Sequence, residues 1–143
     1  MAFVQWSDTL KLGVPAMDAD HRQLLELTND FLAAAEDQAR FGRLAEILGA
    51  LITRTRAHFT AEEMLLDRNS YPHLAGHKAE HARLLNEAQM LHDRFIAFEQ
   101  GGAPEPDGIG TLVLETADYL QRWLIDHIIA DDRPYRPFLM RLF

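Results

Sequence analysis

Seven histidines dominate the chemistry available to this 143-residue chain: His21, His58, His73, His77, His81, His92 and His127. An imidazole can move protons near neutral pH or bind a metal through a neutral ring nitrogen. Several of these rings have a second donor at helical spacing. His58 and Glu62 are four apart, as are His77 and His81, and also His73 and His77. On a helix, that step stacks two side chains on one face, roughly 40° apart. His127 is followed by Asp131 at four residues and Asp132 at five. Singly, each residue has an ordinary structural reading. A histidine on an apolar face is usually a core residue with one hydrogen bond, and a His–Glu pair one turn apart is common. Jointly, five imidazoles and at least two carboxylates in one interior would be very costly to bury without a cation.

The donor set also bears on which cation. Cysteine is absent, which excludes thiolate zinc, cysteine-ligated iron–sulfur clusters, disulfides and a cysteine nucleophile. A single tetrahedral zinc needs only four ligands. Two six-coordinate ions, in contrast, would be filled to all but one position by five imidazoles, two bridging carboxylates and a bridging oxygen. Imidazole suits iron, zinc, copper or nickel, and bridging carboxylates favour iron or manganese pairs.

Stepping along the chain, helical periodicity supplies the elements that carry these donors. Residues 1–17 are expected to form an irregular arm, with Gly13 and Pro15 as breakers. A first helix is expected from about 18 to 38, capped by Asp18 or Asp20, with Leu24, Leu25, Leu27, Phe31, Leu32 and Ala35 on its apolar face. The second, from about 43 to 67, has the stripe Leu44, Ile47, Leu48, Leu51 and Ile52, continued by Thr55, His58, Phe59 and Glu62. Asn69-Ser70-Tyr71-Pro72 ends it. The third, about 73 to 99, carries Leu74, His77, His81, Leu84, Leu85, Ala88, Leu91, Phe95 and Phe98. A Gly- and Pro-rich loop separates it from the fourth, about 109 to 131, with Leu112, Leu114, Ala117, Leu120, Trp123, Leu124, His127 and Ile128. Pro134 and Pro137 then break the pattern. The expectation is one all-α domain over 1–143: an up-down-up-down four-helix bundle over about 18–131, with the N-terminal arm and a short C-terminal segment, 132–143.

Charge and hydropathy narrow the partners. Acidic residues number 22 against 14 Lys plus Arg, for a net charge of −8. Nothing basic is in excess to neutralise nucleic acid or an anionic membrane. No apolar run approaches the roughly 18 residues of a membrane span, and no secretory signal opens the chain, so a cytoplasmic location is expected.

The ordered set of residues resembles the hemerythrin family, in particular its single-domain bacterial branch, the bacteriohemerythrins. The resemblance is carried by His58-Phe59-Thr60-Ala61-Glu62-Glu63-Met64, Tyr71-Pro72, His77, His81, Trp123-Leu124, His127-Ile128 and Asp132. At the start of the chain it extends through Trp6, Gly13-Val14-Pro15, Asp18, His21 and Leu24. It covers about residues 6–138. Spacing leaves His73/His77 and His77/His81 both open, and the resemblance points to the latter. The four-residue step from His58 favours Glu62 over Glu63. Helix geometry favours Asp131 as the partner of His127, with Asp132 roughly 140° away, whereas the resemblance points to Asp132. His92 has no counterpart in the family.

The resemblance implies reversible dioxygen binding at a non-haem di-iron centre, for oxygen transport, storage or delivery. It implies His77, His81 and His127 on one iron, His21 and His58 on the other, and Glu62, Asp132 and an oxo or hydroxo group as bridges. Dioxygen would be taken up at the five-coordinate iron, in a pocket formed by Leu24, Phe59, Trp123, Leu124 and Ile128. The ligand partner is dioxygen itself, and the sequence identifies no protein acceptor. Di-iron oxidising enzymes in bundles use more carboxylates, with Glu-x-x-His motifs, so a carrier rather than an enzyme is expected. The competing classes are an oxygen or redox sensor and a di-iron enzyme acting on peroxide or nitric oxide.

Overall fold

The computed structural model describes residues 15–37, 42–101 and 109–127, with side chains from 17 onward except those of 124–126. Four helices account for nearly all of it: α1 (Pro15–Ala35), α2 (Leu44–Arg68), α3 (Leu74–Glu99) and α4 (Ile109–Asp126). Their order forces their directions. The five residues joining α2 to α3 can span at most about 17 Å, whereas α2 is about 38 Å long. The chain must therefore turn back, and the α1–α2 and α3–α4 connections are likewise too short to return to a helix start. Each helix packs on the next, and α4 closes the ring against α1. The result is an all-α, up-down-up-down four-helix bundle.

The end of α2 shows how sequence sets a turn. Ser70 takes a left-handed φ of 57°. That reverses the chain so that the Tyr71 amide donates to the Leu66 carbonyl at 3.0 Å, closing the last turn of the helix. Asn69 adds its side-chain amide to the Leu65 carbonyl at 2.8 Å. Pro72 then leads into α3, whose cap position is held by the exposed His73.

The periodic stripes form the interior. Phe31, Leu32, Leu44, Leu48, Phe95 and Leu112 are fully enclosed. Phe31 of α1 meets Phe95 of α3 edge to face, with centroids 6.1 Å apart. Two buried threonines, Thr28 and Thr116, satisfy their hydroxyls on the carbonyls one turn earlier, Leu24 and Leu112. Between α3 and α4, Tyr119 donates to the Leu84 carbonyl at 2.6 Å, and Arg94 pairs with Glu115 at 2.5 Å. Burial pushes the Tyr119 phenol well above its ordinary value, so it stays a donor. Among the described residues no helix is long and apolar enough to cross a membrane.

Three expectations need correction. Pro15 opens α1 rather than breaking it, because a first-turn residue has no helical use for the N–H that proline lacks; the helix therefore starts three residues earlier than expected. Asp18 lies in that first turn and Asp20 lies within the helix, so neither precedes it as a cap. Leu114 is 62% exposed. Two positions past the enclosed Leu112, it points roughly 200° around the helix, and Val113 takes the interior place instead. The arm up to residue 14 and the segment 132–143 lie outside the described residues.

The enclosed ring of Phe95 and the exposed side chain of Leu114 should respond differently to truncation. Phe95→Ala should cost about 3–5 kcal/mol in urea unfolding, and Leu114→Ala should stay within about 0.5 kcal/mol.

Candidate metal centre

Antiparallel neighbours bring together donors that are distant in sequence. His21 lies early in α1, His58 and Glu62 late in α2, His77 and His81 early in α3, and His127 directly after α4. All six are therefore at the same end of the bundle, and all are buried. The other end is filled by the apolar residues around Phe31 and Phe95.

Glu62 is the hub. Its Oε1 lies 2.5 Å from His77 Nε2 and 3.3 Å from His81 Nε2. Its Oε2 lies 2.9 Å from His58 Nε2. His58 Nε2 in turn is 3.0 Å from His21 Nε2. The donors fall into two groups that share Glu62: His21, His58, Glu62 and His127 in one, and Glu62, His77 and His81 in the other, with ligand atoms in each group within 4.8 Å of one another. Burial alone would push the Glu62 carboxyl up. The close contacts from His58, His77 and His81, together with charge at His58, outweigh it and hold the group well below the usual carboxylate range.

The lone pairs identify what such a cluster can hold. A carboxylate only accepts, so the 3.1 Å contact of His58 Nδ1 with Asp20 Oδ2 puts a proton on Nδ1. His58 Nε2 then faces Glu62 Oε2 and His21 Nε2. Two arrangements satisfy that approach: an imidazolium donating to both carboxylates, or a neutral ring whose Nε2 shares a cation with Glu62. Glu62 Oε2 has no well-directed hydrogen bond, and neither has either ring nitrogen of His81. Buried groups of this kind are costly unless their lone pairs meet a hydrogen-bond donor or a cation. The 3.0 Å between His21 and His58 also matches two neighbouring donors on one ion, since bonds of about 2.1 Å at right angles place their atoms ~3 Å apart. The residues therefore fit a metal, and the carboxylate between two imidazole groups fits a pair of ions.

His127 has neighbours in both groups. Its donor set is that of His21, His58 and Glu62, although its ring centroid is also 5.0 Å from that of His81 and 6.1 Å from that of His77. Position explains this: at the end of α4, which packs on both α1 and α3, the ring reaches both halves. Trp123, one turn earlier, stacks on it at 6.1 Å with planes 9° apart.

Apolar residues enclose the cluster. Phe59 stacks on His81 with centroids 3.6 Å apart and lies 4.9 Å from His127. Leu24, Phe59 and Trp123 are all buried. Trp123 also borders a small cavity of about 10 Å³ between α2, α3 and α4, and a cleft of about 60 Å³ that reaches His127 past Glu80, Arg83 and Arg122. Glu63 is half-buried, its Oε2 3.7 Å from His81 Nδ1. The exposed His73 is outside the cluster, and His92 packs toward Gly49, whose missing Cβ leaves room for the ring. Asp131, Asp132, Ile128 and the side chain of Leu124 lie outside the described residues. The residue that sequence reasoning missed is Asp20. It was expected only as a helix cap, and no spacing links it to His58, 38 positions away on another helix.

Comparison with known proteins gives the same reading. Residues 12–139 match the family model described as the hemerythrin HHE cation binding domain. The chain belongs to the hemerythrin family. It is 30% identical to a bacteriohemerythrin of Stenotrophomonas maltophilia over 135 residues, 94% of this chain and 80% of that protein. It is 29% identical to a bacteriohemerythrin of Methylococcus capsulatus, covering 97% of this chain and 98% of that one. The crystal structure of wild-type hemerythrin superposes with a TM-score of 0.76 at 26% identity, over 95% of this chain and 97% of that chain. A hemerythrin point mutant gives a TM-score of 0.79 at 26% identity, over 96% and 97%. The cation-binding description agrees with the donor set that this hemerythrin-family bundle buries.

The depressed Glu62 carboxyl has a consequence for pH. Its folded-state pKa is below the unfolded one, so its stabilisation is fully present above the unfolded value, about 4.3, and is lost as pH falls through the folded value. In the presence of a chelator, the stability of wild type relative to Glu62→Gln should fall as pH drops from about 5 to about 3. Urea unfolding across that range is the measurement, and a difference that does not change with pH would remove the ionised Glu62 from the account.

Proposed function

We propose that this hemerythrin-family protein binds dioxygen reversibly at a non-haem pair of iron ions, as a carrier for transport, storage or delivery rather than as an enzyme. The observation that carries the reading is Glu62, whose two oxygens face different imidazoles inside one buried cluster. His21, His58, Glu62, His77, His81 and His127 would hold the ions, with Asp132 as second carboxylate bridge on the strength of the family resemblance. When bound, the iron pair supplies two reducing equivalents and an open coordination position for dioxygen.

The chain's own residues supply the rest. Glu62 and the second carboxylate would hold the ions. The neutral imidazoles leave less negative charge than a carboxylate-rich site, which disfavours oxygen–oxygen cleavage. Reversibility requires that water and stray protons stay out. Leu24, Phe59 and Trp123 give the site apolar walls, and Leu124 and Ile128 are proposed to extend them. The acidic surface and the lack of a membrane-crossing helix among the described residues fit a protein that works in the cytoplasm, with dioxygen as its ligand and without nucleic acid or membrane as partners.

Reduced protein exposed to air should develop a visible absorption band that disappears under vacuum and returns on aeration, through repeated cycles. Immediate irreversible oxidation would overturn the carrier reading, and sustained consumption of peroxide or nitric oxide would replace it with an enzyme.

The second bridge is separately testable. Asp132→Ala should lower bound iron below two per chain, while Asp131→Ala should leave the iron content and spectrum unchanged. The reverse pattern would assign the bridge to Asp131.

A further inference from the structure

We infer that Asp20 is a positioning residue for the metal centre: its carboxylate holds His58 in the tautomer and orientation that present Nε2 to the ion. The inference rests on the iron-centre reading above and adds to it a residue from outside the ligand set.

The geometry is specific. Asp20 follows directly on the turn of α1 that leads to His21, and its Oδ2 lies 3.1 Å from His58 Nδ1 on α2. The Asp20 side chain is 42% exposed, while that of His58 is 3% exposed. The contact therefore joins a ligand inside the bundle to a carboxylate at its surface. A neutral imidazole has one N–H. With that proton committed to Asp20, the lone pair is on Nε2, the atom that faces Glu62 Oε2 and His21 Nε2. Without an acceptor at Nδ1, the proton is free to sit on Nε2, where it would block coordination. Partners of this kind also fix the ring plane and raise the basicity of the ligating nitrogen.

The hydrogen bond has a second effect. Asp20 and His21 are consecutive on α1, so the α1–α2 contact that sets the His21–His58 separation at 3.0 Å is tied by the same residue pair. The corresponding carboxylate near His81 is Glu63, at 3.7 Å from Nδ1, beyond hydrogen-bonding reach. Of these two carboxylates, Asp20 is the one within hydrogen-bonding reach of a ligand's Nδ1.

The test uses the full-length, iron-loaded protein and measures the rate at which iron(II) passes to an excess of chelator. Asp20→Ala should release iron about 10–100-fold faster. Asp20→Asn, whose side-chain carbonyl accepts the same bond, should recover most of the wild-type rate. Asp30→Ala removes an equal charge from an exposed position on α1 and should match wild type. By proton NMR of the loaded protein, one exchangeable imidazole N–H should exchange faster with solvent in Asp20→Ala and be restored in Asp20→Asn. Wild-type release and exchange rates in Asp20→Ala would overturn the inference alone. So would equal acceleration in Asp20→Asn or Asp30→Ala, which would make the effect one of charge. A wild-type chain that takes up no iron would overturn the metal reading, and the inference with it.

Discussion

A carboxylate with no exposure to solvent, faced by three imidazoles, is the constraint to which the rest of this bundle answers. Burying Glu62 would by itself favour its neutral form. The imidazoles of His58, His77 and His81 reverse that preference by donating to the carboxylate and, at His58, by charge; a cation shared between the carboxylate and neutral rings would do the same. This arrangement requires that α2 pass between the helices bearing His21 and His77, and that α4 end where His127 can complete the set. The antiparallel topology meets both demands at once, because it places the start of α1 and α3 beside the end of α2 and α4.

The two ends of the bundle divide the work. Around Phe31 and Phe95 the packing is apolar and independent of any ion. Around Glu62 the buried donors His21, His58, His77, His81 and His127 gather inside apolar walls, so the second end depends on what it binds. Metal affinity in such a bundle is also folding free energy. The ligand end should therefore be the more sensitive of the two to pH and to chelation, while the apolar end keeps the helices in register. Phe59 joins the two regions, belonging to the main apolar core while stacking on His81.

Much of this was legible in the sequence because helical periodicity carries it directly. The stripe from Leu44 through Thr55 to Glu62 predicts both the face of α2 and which of two adjacent glutamates points inward. What periodicity does not carry has a tertiary or local cause. Hydrophobicity alone places Leu114 in the interior, although its angular position excludes it. Pro15 reads as a breaker in sequence because proline's role changes sign between the first turn of a helix and its interior. The place of His127 depends on how α4 meets two neighbours, and the role of Asp20 depends on an α1–α2 contact across 38 positions. Periodicity within one helix contains neither. Family resemblance supplied the order of the donors, and the packing shows which of them lie side by side.

Anomalous diffraction from crystals of the iron-loaded protein tests the central claim most directly. Data collected on both sides of the iron absorption edge should show two iron positions flanking the Glu62 carboxylate, one beside His21 and His58 and the other beside His77 and His81. A single peak, or iron bound away from Glu62, would contradict the account.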